Sequence, residues 1–275
     1  MTPESVSDNA QDAARTVEGS RTFQLLARAG YAVNGLLHVM IGSIAISVAT
    51  GAGAGGGSAD QSGALGQLAR TPGGVFLLWT VVIGLAALGL WYLVQAFVEP
   101  ARDPKRKWAK RAVLIGKGAV FLLIAATALT FARGASASSS ETARDSTATL
   151  LGLPGGVILL FIGGLVVLGI GAVFVVRGAS HKFTESITVP RGAAGTAVVA
   201  LGTVGYSAEG IALGTVGVLF AVAAFTHNPD KATGMDGALK ALVALPFGVA
   251  ILVVVGAGLI AYGLYCFARS RLARL

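Results

Sequence analysis

Four polar side chains interrupt otherwise apolar stretches of this sequence and are the residues best placed to do chemistry. They are Asn34, His38, Lys117 and Glu209. Ionisable groups are costly in an apolar environment and often mark ligand sites, ion paths or proton relays. His38 follows Asn34 by one helical turn, so both would face the same side of a helix. This histidine could relay protons or contact a ligand, or it could simply hydrogen-bond to a backbone carbonyl.

Motifs for catalysis and for cofactors are missing from the sequence. It has no His, Cys and carboxylate cluster with zinc spacing, no recognisable Ser-His-acid triad and no P-loop. Haem would need a second axial ligand at the depth of His38, whereas His181 and His227 lie at the ends of apolar runs. The pattern GxGxxG at 51–56 follows an apolar run and not a strand, which argues against a dinucleotide site. We therefore predict no enzyme activity, no cofactor and no metal.

The composition predicts the environment in which these residues act. Of the 275 residues, 54% are hydrophobic and 12% are charged, and the mean hydropathy is +0.75. A soluble domain is about 25% charged, and a soluble fold could not cover this much apolar surface. The chain is thus predicted to contact the lipid bilayer. Its net charge of +8 clusters at the ends of apolar runs, so nucleic acid is not expected as a partner.

Six segments reach the roughly 20 apolar residues that a membrane crossing requires. They are Ala29–Thr50, Gly73–Gln95, Ala112–Ala132, Gly155–Val176, Gly202–Phe225 and Phe247–Phe267. The predicted fold class is an all-α integral membrane protein with six transmembrane helices. The single cysteine, Cys266, cannot form an internal disulfide, and we interpret it as a packing residue.

Lys and Arg residues alternate between the two sides of these spans. One side carries fifteen of them and the other five, while Lys117 lies within a span. The side richer in Lys and Arg normally stays in the cytoplasm. The sequence therefore predicts a multi-pass protein of the bacterial plasma (inner) membrane with both termini cytoplasmic.

The connections on the opposite side are predicted to be loops. Glycine-rich 51–57 and serine-rich 136–140 are typical of flexible linkers. The acids there are scattered, which is typical of solvated loops. They are Asp60, Glu141, Asp145, Asp230 and Asp236.

Three tandem repeats of two helices organise the chain. From Asn34, Lys117 and Glu209 to the proline that begins each second helix is 38, 37 and 37 positions. Small residues recur at fixed spacing in both helices, which predicts tight helix crossings. The predicted packing glycines are Gly35, Gly42, Gly89, Gly118, Gly171, Gly210, Gly217 and Gly263. The predicted units are a disordered cytoplasmic tail at 1–24, membrane repeats at 25–98, 99–178 and 179–268, and a basic cytoplasmic tail at 269–275.

The repeat motifs resemble a known bacterial family. Gly30-Tyr31, followed by Asn34-Gly35, matches Gly205-Tyr206, followed by Glu209-Gly210, and Pro-Gly starts the second helices of repeats 1 and 2. These elements are similar to the proteins classed as domain of unknown function 1206, which carry three tandem two-helix membrane repeats. The middle copy departs from the pattern, with Val113-Leu114 in place of Gly-Tyr. The resemblance implies a fold and a membrane location, and no activity.

Each repeat enters and leaves the membrane on the same side, so the three repeats are parallel. Parallel repeats are related by an axis along the membrane normal, which allows a pseudo-threefold arrangement. Asn34, Lys117 and Glu209 would then share one layer, about 9 Å deep at 1.5 Å per residue. In this layer we predict a direct or water-mediated pair between Lys117 and Glu209, which serves either a structural role or ligand contact.

Two functions fit these features. A scaffold or accessory subunit, acting through helix packing with another membrane protein or a second copy, is the first hypothesis, because glycine-rich faces favour helix association. The alternative is a small-solute or ion transporter or channel that uses the layer of Asn34, Lys117 and Glu209. A membrane enzyme is not predicted.

Overall fold

The computed structural model describes residues 21–52, 57–98 and 104–274. Within these residues the chain forms nine α-helices. They are α1 (Arg21–Ala49), α2 (Gln61–Arg70), α3 (Gly74–Val98), α4 (Pro104–Ala132), α5 (Ser139–Leu151), α6 (Gly156–Ala179), α7 (Ala193–Thr226), α8 (Gly234–Val243) and α9 (Gly248–Leu272). Short 3₁₀ helices span Lys182–Ser186 and Pro229–Lys231. Of the predicted tail at 1–24, residues 1–20 lie outside the described residues, and α1 begins at Arg21.

Six of these helices, α1, α3, α4, α6, α7 and α9, are long and apolar enough to cross a membrane. The prediction of an all-α, multi-pass membrane protein is confirmed. The largest difference in span length is in α7, which has 34 residues and begins at Ala193, nine residues before the predicted start.

A short helix precedes the second long helix of every repeat. These helices are α2, α5 and α8, and they meet at one end of the bundle, here called the short-helix end. Two hydrogen bonds link α5 to the other two connections: Ser139 N to Ser62 Oγ and Ser140 Oγ to Thr233 O. The linker prediction is therefore wrong for Ser139 and Ser140, while residues 53–56 of the other predicted linker lie outside the described residues.

Two acids of these connections are buried, which corrects the prediction of solvated loops for them. Asp60 is 1% exposed and caps α2, where its carboxylate accepts a hydrogen bond from Gly63 N at 2.9 Å. Asp236 is 7% exposed and accepts one from Ala59 N at 2.7 Å. Carboxylates can be buried in this way because they accept hydrogen bonds from backbone N–H groups, here one in the first turn of α2 and one just before its N-cap.

The six long helices form an open ring around an axis. Each second helix packs against the first helix of the next repeat: α3 on α4, α6 on α7 and α9 on α1. Within repeats, α1 packs on α3 and α7 packs on α9. Between α4 and α6, both described along their whole length, there is no comparable packing. The ring is thus open within repeat 2.

Glycine pairs make the crossings between repeats. The pairs are Gly35 with Gly263, Gly118 with Gly89 and Gly210 with Gly171 and, further along two of these interfaces, Gly42 with Gly256 and Gly217 with Gly164. A Cβ on any of them would lie within 3.0 Å of its partner's carbonyl oxygen. Only glycine permits such backbone contact. All eight packing glycines predicted from the sequence lie in these pairs.

A second set of glycines makes the crossings within repeats 1 and 3. A Cβ on Gly30 would collide with the carbonyl oxygen of Gly84, and a Cβ on Gly205 would lie 2.7 Å from the backbone nitrogen of Tyr262. Gly258 is in similarly tight contact with Ala208. The first helices of repeats 1 and 3 thus approach the second helices at backbone distance.

Repeat 2 carries valine at both equivalent positions. Val113 precedes Lys117 by four residues, as Gly30 precedes Asn34, and Val166 follows its proline by twelve residues, as Gly84 does. Both valines are exposed, at 57% and 56%. Since a branched side chain cannot enter a backbone-to-backbone crossing, α4 and α6 cannot pack as their counterparts do.

Candidate functional site

A histidine and a glutamate meet inside the bundle. His38 Nε2 on α1 lies 3.5 Å from Glu209 Oε2 on α7. Both residues are buried, with 6% and 7% exposure. Without this contact, each side chain would be an isolated ionisable group in an apolar environment. The contact therefore gives each of them a polar partner.

The other nitrogen of His38 fixes how protons are distributed in this pair. His38 Nδ1 lies 2.8 Å from the carbonyl oxygen of Asn34, which can only accept a hydrogen bond, so Nδ1 carries a hydrogen. The Nε2 to Oε2 contact then needs one further proton. The pair is either imidazolium with carboxylate or imidazole with carboxylic acid. Loss of this proton would place the carboxylate of Glu209 against the lone pair of His38 Nε2 in a buried site, which is unfavourable.

Side chains of α9 complete the surroundings of the pair. The ring of Tyr262 meets that of His38 edge to face, with centroids 4.9 Å apart. The Asn34 amide lies 3.5 Å from the Cys266 thiol, to which it donates. Cys266 is buried among these groups. The histidine ring is therefore held in one orientation by contacts on two sides.

Lys117 does not contact Glu209, so the predicted pair is wrong. The ammonium of Lys117 lies over the ring of Tyr92, 5.4 Å from its centroid, and its side chain is half-buried. Its helix, α4, packs on α3 and not on α7, which carries Glu209. The two residues occupy equivalent repeat positions, but His38 is nearer to Glu209, while Tyr92 of the neighbouring helix is nearer to Lys117.

Three cations stack on tyrosines, one at each interface between repeats. Lys117 lies over Tyr92 between repeats 1 and 2, and the guanidinium of Arg177 lies 5.9 Å from the ring centroid of Tyr206 between repeats 2 and 3. The guanidinium of Arg269 lies 4.4 Å from the ring centroid of Tyr31 between repeats 3 and 1. These three pairs are called the cation–tyrosine cluster below.

Contacts among tyrosines extend the cluster. The hydroxyls of Tyr31 and Tyr92 are 3.0 Å apart, and Tyr206 contacts Tyr262 and Tyr265 edge to face. All five tyrosines of the chain therefore lie in or beside it. Phe183 of the 3₁₀ helix is fully buried and stacks on Tyr206 at a centroid distance of 5.3 Å.

The C-terminal segment fixes the end of the bundle where the cluster lies. Thr188 N donates to the carbonyl of Leu272 at 2.8 Å, and Arg274 N donates to that of Ser186 at 3.2 Å. The Arg28 guanidinium also donates to the carbonyl of Arg271. These bonds join the start of α1, the end of α9 and the connection between α6 and α7, and this end is called the termini end below.

Arg177 and Arg269 were predicted only to set the membrane topology, and their place in a site was not predicted. The repeat register contained the signal. Both arginines follow the proline of their repeat by 23 residues, while Gln95 holds that position in repeat 1. Tyr31 and Tyr206, on which they stack, are the tyrosines of the two Gly-Tyr motifs. The cation of one repeat and the tyrosine of the next are therefore matched in register.

The cluster and the His38–Glu209 pair occupy two successive levels. Tyr31 and His38 are seven residues apart on α1, which places them about 10 Å apart along the helix axis. Asn34 and Cys266 lie between these levels. A column of polar groups therefore extends from the termini end into the bundle. Among the described residues, no three His, Cys, Asp or Glu side chains group as metal ligands.

Comparison with known proteins agrees with the repeat architecture. The profile of the family described as Domain of Unknown Function (DUF1206) matches residues 29–99, 112–181 and 204–273. An uncharacterized protein of Bacillus subtilis (strain 168), YxxB, is 30% identical over 256 residues that cover 88% of each chain. No solved structure matches the chain. The chain belongs to the DUF1206 family, as the resemblance of its repeat motifs predicted.

Proposed function

We propose that this member of the DUF1206 family is a proton-coupled transporter of a small solute. It would act in the bacterial plasma membrane with both termini in the cytoplasm, because Lys and Arg are concentrated at the termini end. The observation that carries the proposal is the buried contact between His38 and Glu209.

The His38–Glu209 pair is suited to coupling proton movement to a conformational change. Its protonated and deprotonated states differ in net charge and in whether the two side chains attract each other. With the shared proton, His38 and Glu209 attract each other, and without it they repel in a dry site. Their 3.5 Å separation is longer than an ordinary hydrogen bond, so a modest helix movement would make or break the contact. A proton gradient can bias such a two-state element.

Solute uptake by proteoliposomes tests the proposal. Vesicles containing the full chain and an internal pH dye are given, one at a time, inorganic anions, small organic acids and small cations. We expect at least one solute to cause internal acidification that depends on the protein. His38→Asn and Glu209→Gln should each abolish this signal, because neither variant can hold the shared proton as the native pair does.

Matched controls separate this effect from a general loss of charge. His181 and Glu185 are exposed residues near the termini end, so His181→Asn and Glu185→Gln should transport normally. A wild-type protein that moves no proton with any tested solute, or Glu209→Gln vesicles that acidify like wild type, would overturn the proposal.

A scaffold or accessory subunit is the second candidate. The glycines predicted to pack helices contact other helices of the same bundle. However, α4 and α6 also carry glycines that have open space around them, with no atom within 4 Å of the place where a Cβ would lie. These are Gly116, Gly163 and Gly169. Helix association in membranes uses such small residues. Site-specific cross-linking from Gly116 and Gly169 in native membranes tests this candidate. Adducts with one defined membrane protein would support it, whereas reaction with lipid alone would count against it.

A further inference from the structure

We infer that the cation–tyrosine cluster of Lys117, Arg177 and Arg269 is a binding site for a phosphate-type oxyanion. The group bound is either inorganic phosphate or the phosphate of an anionic lipid. This inference deepens the proposed transport function by naming a class of solute, and its connection to transport rests on that function. Binding itself is a separate property and is measured without a gradient.

The cluster carries positive charge that no described carboxylate neutralises. Within the described part of the chain, the only acid–base contacts are those of Glu209 with His38 and Asp236 with Lys240. Lys117 interacts electrostatically with both Arg177 and Arg269. Bringing three cations together near the membrane interior is unfavourable, and a bound anion would relieve their repulsion.

Two arginines of the cluster have unused donors. The Nε atoms of Arg177 and Arg269 are buried and have no hydrogen-bond partner among the described residues. A buried donor without an acceptor is unfavourable. The guanidinium group presents Nε and Nη as a fork that fits two oxygens of one phosphate. Stacking on Tyr31 and Tyr206 holds each guanidinium plane in place.

The symmetry of the cluster also fits a phosphate group. One cation is supplied at each of the three interfaces between repeats, so each interface contributes one positive charge. The terminal PO3 group of a monoester, or a phosphate ion viewed along one P–O bond, presents three equivalent oxygens. A carboxylate has two oxygens, so one of them would have to be shared by two of the cations.

The open side of the ring gives a route to the cluster. Lys117 lies on α4 and Arg177 on α6, the two neighbouring helices that do not pack together. A lipid headgroup could enter sideways between them with its acyl chains remaining in the bilayer. A free anion would enter from the termini end, where Arg177 and Arg269 lie in the last turns of α6 and α9.

Binding measurements on the purified full chain distinguish the two sources. Protein in a neutral detergent is titrated with inorganic phosphate, with chloride at matched ionic strength as the reference. In parallel, protein in phosphatidylcholine nanodiscs is compared with protein in nanodiscs that contain phosphatidic acid. We expect thermal stabilisation by phosphate over chloride, by phosphatidic acid over phosphatidylcholine, or by both. Stabilisation by neither would overturn the inference.

Arginine variants localise the effect. Arg269→Gln and Arg177→Gln each remove one fork and introduce the residue that repeat 1 carries at the same position, Gln95. Each should weaken binding by at least about tenfold, as expected for a charge-assisted hydrogen bond. Arg133→Gln removes an exposed charge outside the cluster and should bind like wild type.

Further outcomes keep the site and the transport proposal separate. Arg269→Lys retains the charge without the fork, so it should bind more weakly than wild type and more strongly than Arg269→Gln. Equal affinity of wild type, Arg177→Gln and Arg269→Gln would exclude the cluster as the site. Normal oxyanion binding with no proton movement in vesicles would retain the site and overturn only the transporter.

Discussion

Repeats 1 and 3 differ from repeat 2 in the packing of their own two helices. In an 18-residue apolar stretch of α4 and of α6, 17% of residues are buried, against 44–56% in the corresponding stretches of the other four spans. All three repeats keep the crossings that join them to their neighbours, including the pairs Gly118 with Gly89 and Gly210 with Gly171. What repeat 2 lacks is the internal crossing, where Val113 and Val166 replace glycines.

This difference shows that contacts with the neighbouring repeats are enough to hold repeat 2 in the ring. Repeat 2 has no packed core of its own and is divided between α3 on one side and α7 on the other. The ring therefore opens at a defined place, beside Lys117 and Arg177. The repeat without an internal crossing is thus the one that carries Lys117 and Arg177, two of the three half-buried cations of the cation–tyrosine cluster.

The largest expected effect comes from giving repeat 3 the valine of repeat 2. In Gly205→Val, the new side chain would overlap the backbone of Tyr262, because a Cβ there lies 2.7 Å from its nitrogen. We expect a loss of about 3 kcal/mol or more of stability, measured by thermal unfolding in detergent. Gly169→Val, at a glycine with open space around it, should change stability by less than about 0.5 kcal/mol. Similar stability for the two variants would contradict the claim that the close crossing at Gly205 stabilises repeat 3.

The reverse change should close the ring. Val113→Gly with Val166→Gly restores the glycines that repeats 1 and 3 carry at these positions, so α4 and α6 can approach. Spin labels on the exposed residues Val120 and Ile162, in a Cys266→Ala background, report the separation of these helices. Double electron–electron resonance should give a shorter and narrower distribution of distances between the two labels in the double variant than in the background protein. An unchanged distribution would mean that something besides the two valines keeps the helices apart.

Repeats 1 and 2 also differ at the short-helix end, in the residue that caps the short helix. The N-cap of α2 is the buried Asp60, whereas the N-cap of α5 is Ser138. Burial raises the pKa of Asp60 above its usual value, partly offset by hydrogen bonds from Ser62 and Gly63, and Asp236 adds repulsion. A raised folded-state pKa means that Asp60 contributes most to stability below about pH 4 and less as pH rises through that pKa.

Two variants of Asp60 measure this effect across pH 4 to 7. Asp60→Asn keeps a capping acceptor and should remove the Asp60 part of the decline in stability with rising pH. Asp60→Ala loses the cap and should be destabilised by about 1 kcal/mol relative to Asp60→Asn. Melting temperatures that show the same pH slope in wild type and Asp60→Asn would contradict the assignment.

The smallest effect is expected for the ion pair on α8. Lys240 Nζ lies 2.7 Å from Asp236 Oδ2, but the lysine side chain is 50% exposed. Solvent screens such pairs, so Lys240→Met should change stability by less than about 0.5 kcal/mol. Asp236→Ala should have a clearly larger effect, because it also removes the acceptor for Ala59 N. Equal effects of the two substitutions would show that the backbone hydrogen bond contributes little.

Sequence patterns predicted the spans and the repeats well because both are repeated many times along the chain. Long apolar runs reveal spans, and shared spacing of Asn34, Lys117 and Glu209 to their prolines reveals the register. The short helices were missed because α2, α5 and α8 are brief and rich in small or polar residues. Buried Asp60 and Asp236 were missed for a related reason, since their partners are backbone groups of segments read as loops.

What the sequence by itself determined is the membrane environment, the six spans, the threefold repetition and the positions at which only glycine allows close approach. These are properties of local composition and spacing. Only the tertiary structure decided that Glu209 meets His38 and that Lys117 meets Tyr92. Equivalent positions in a repeat share a depth, but partners are chosen by which neighbouring helix lies within a side chain's reach. That choice depends on how each helix packs on its neighbours.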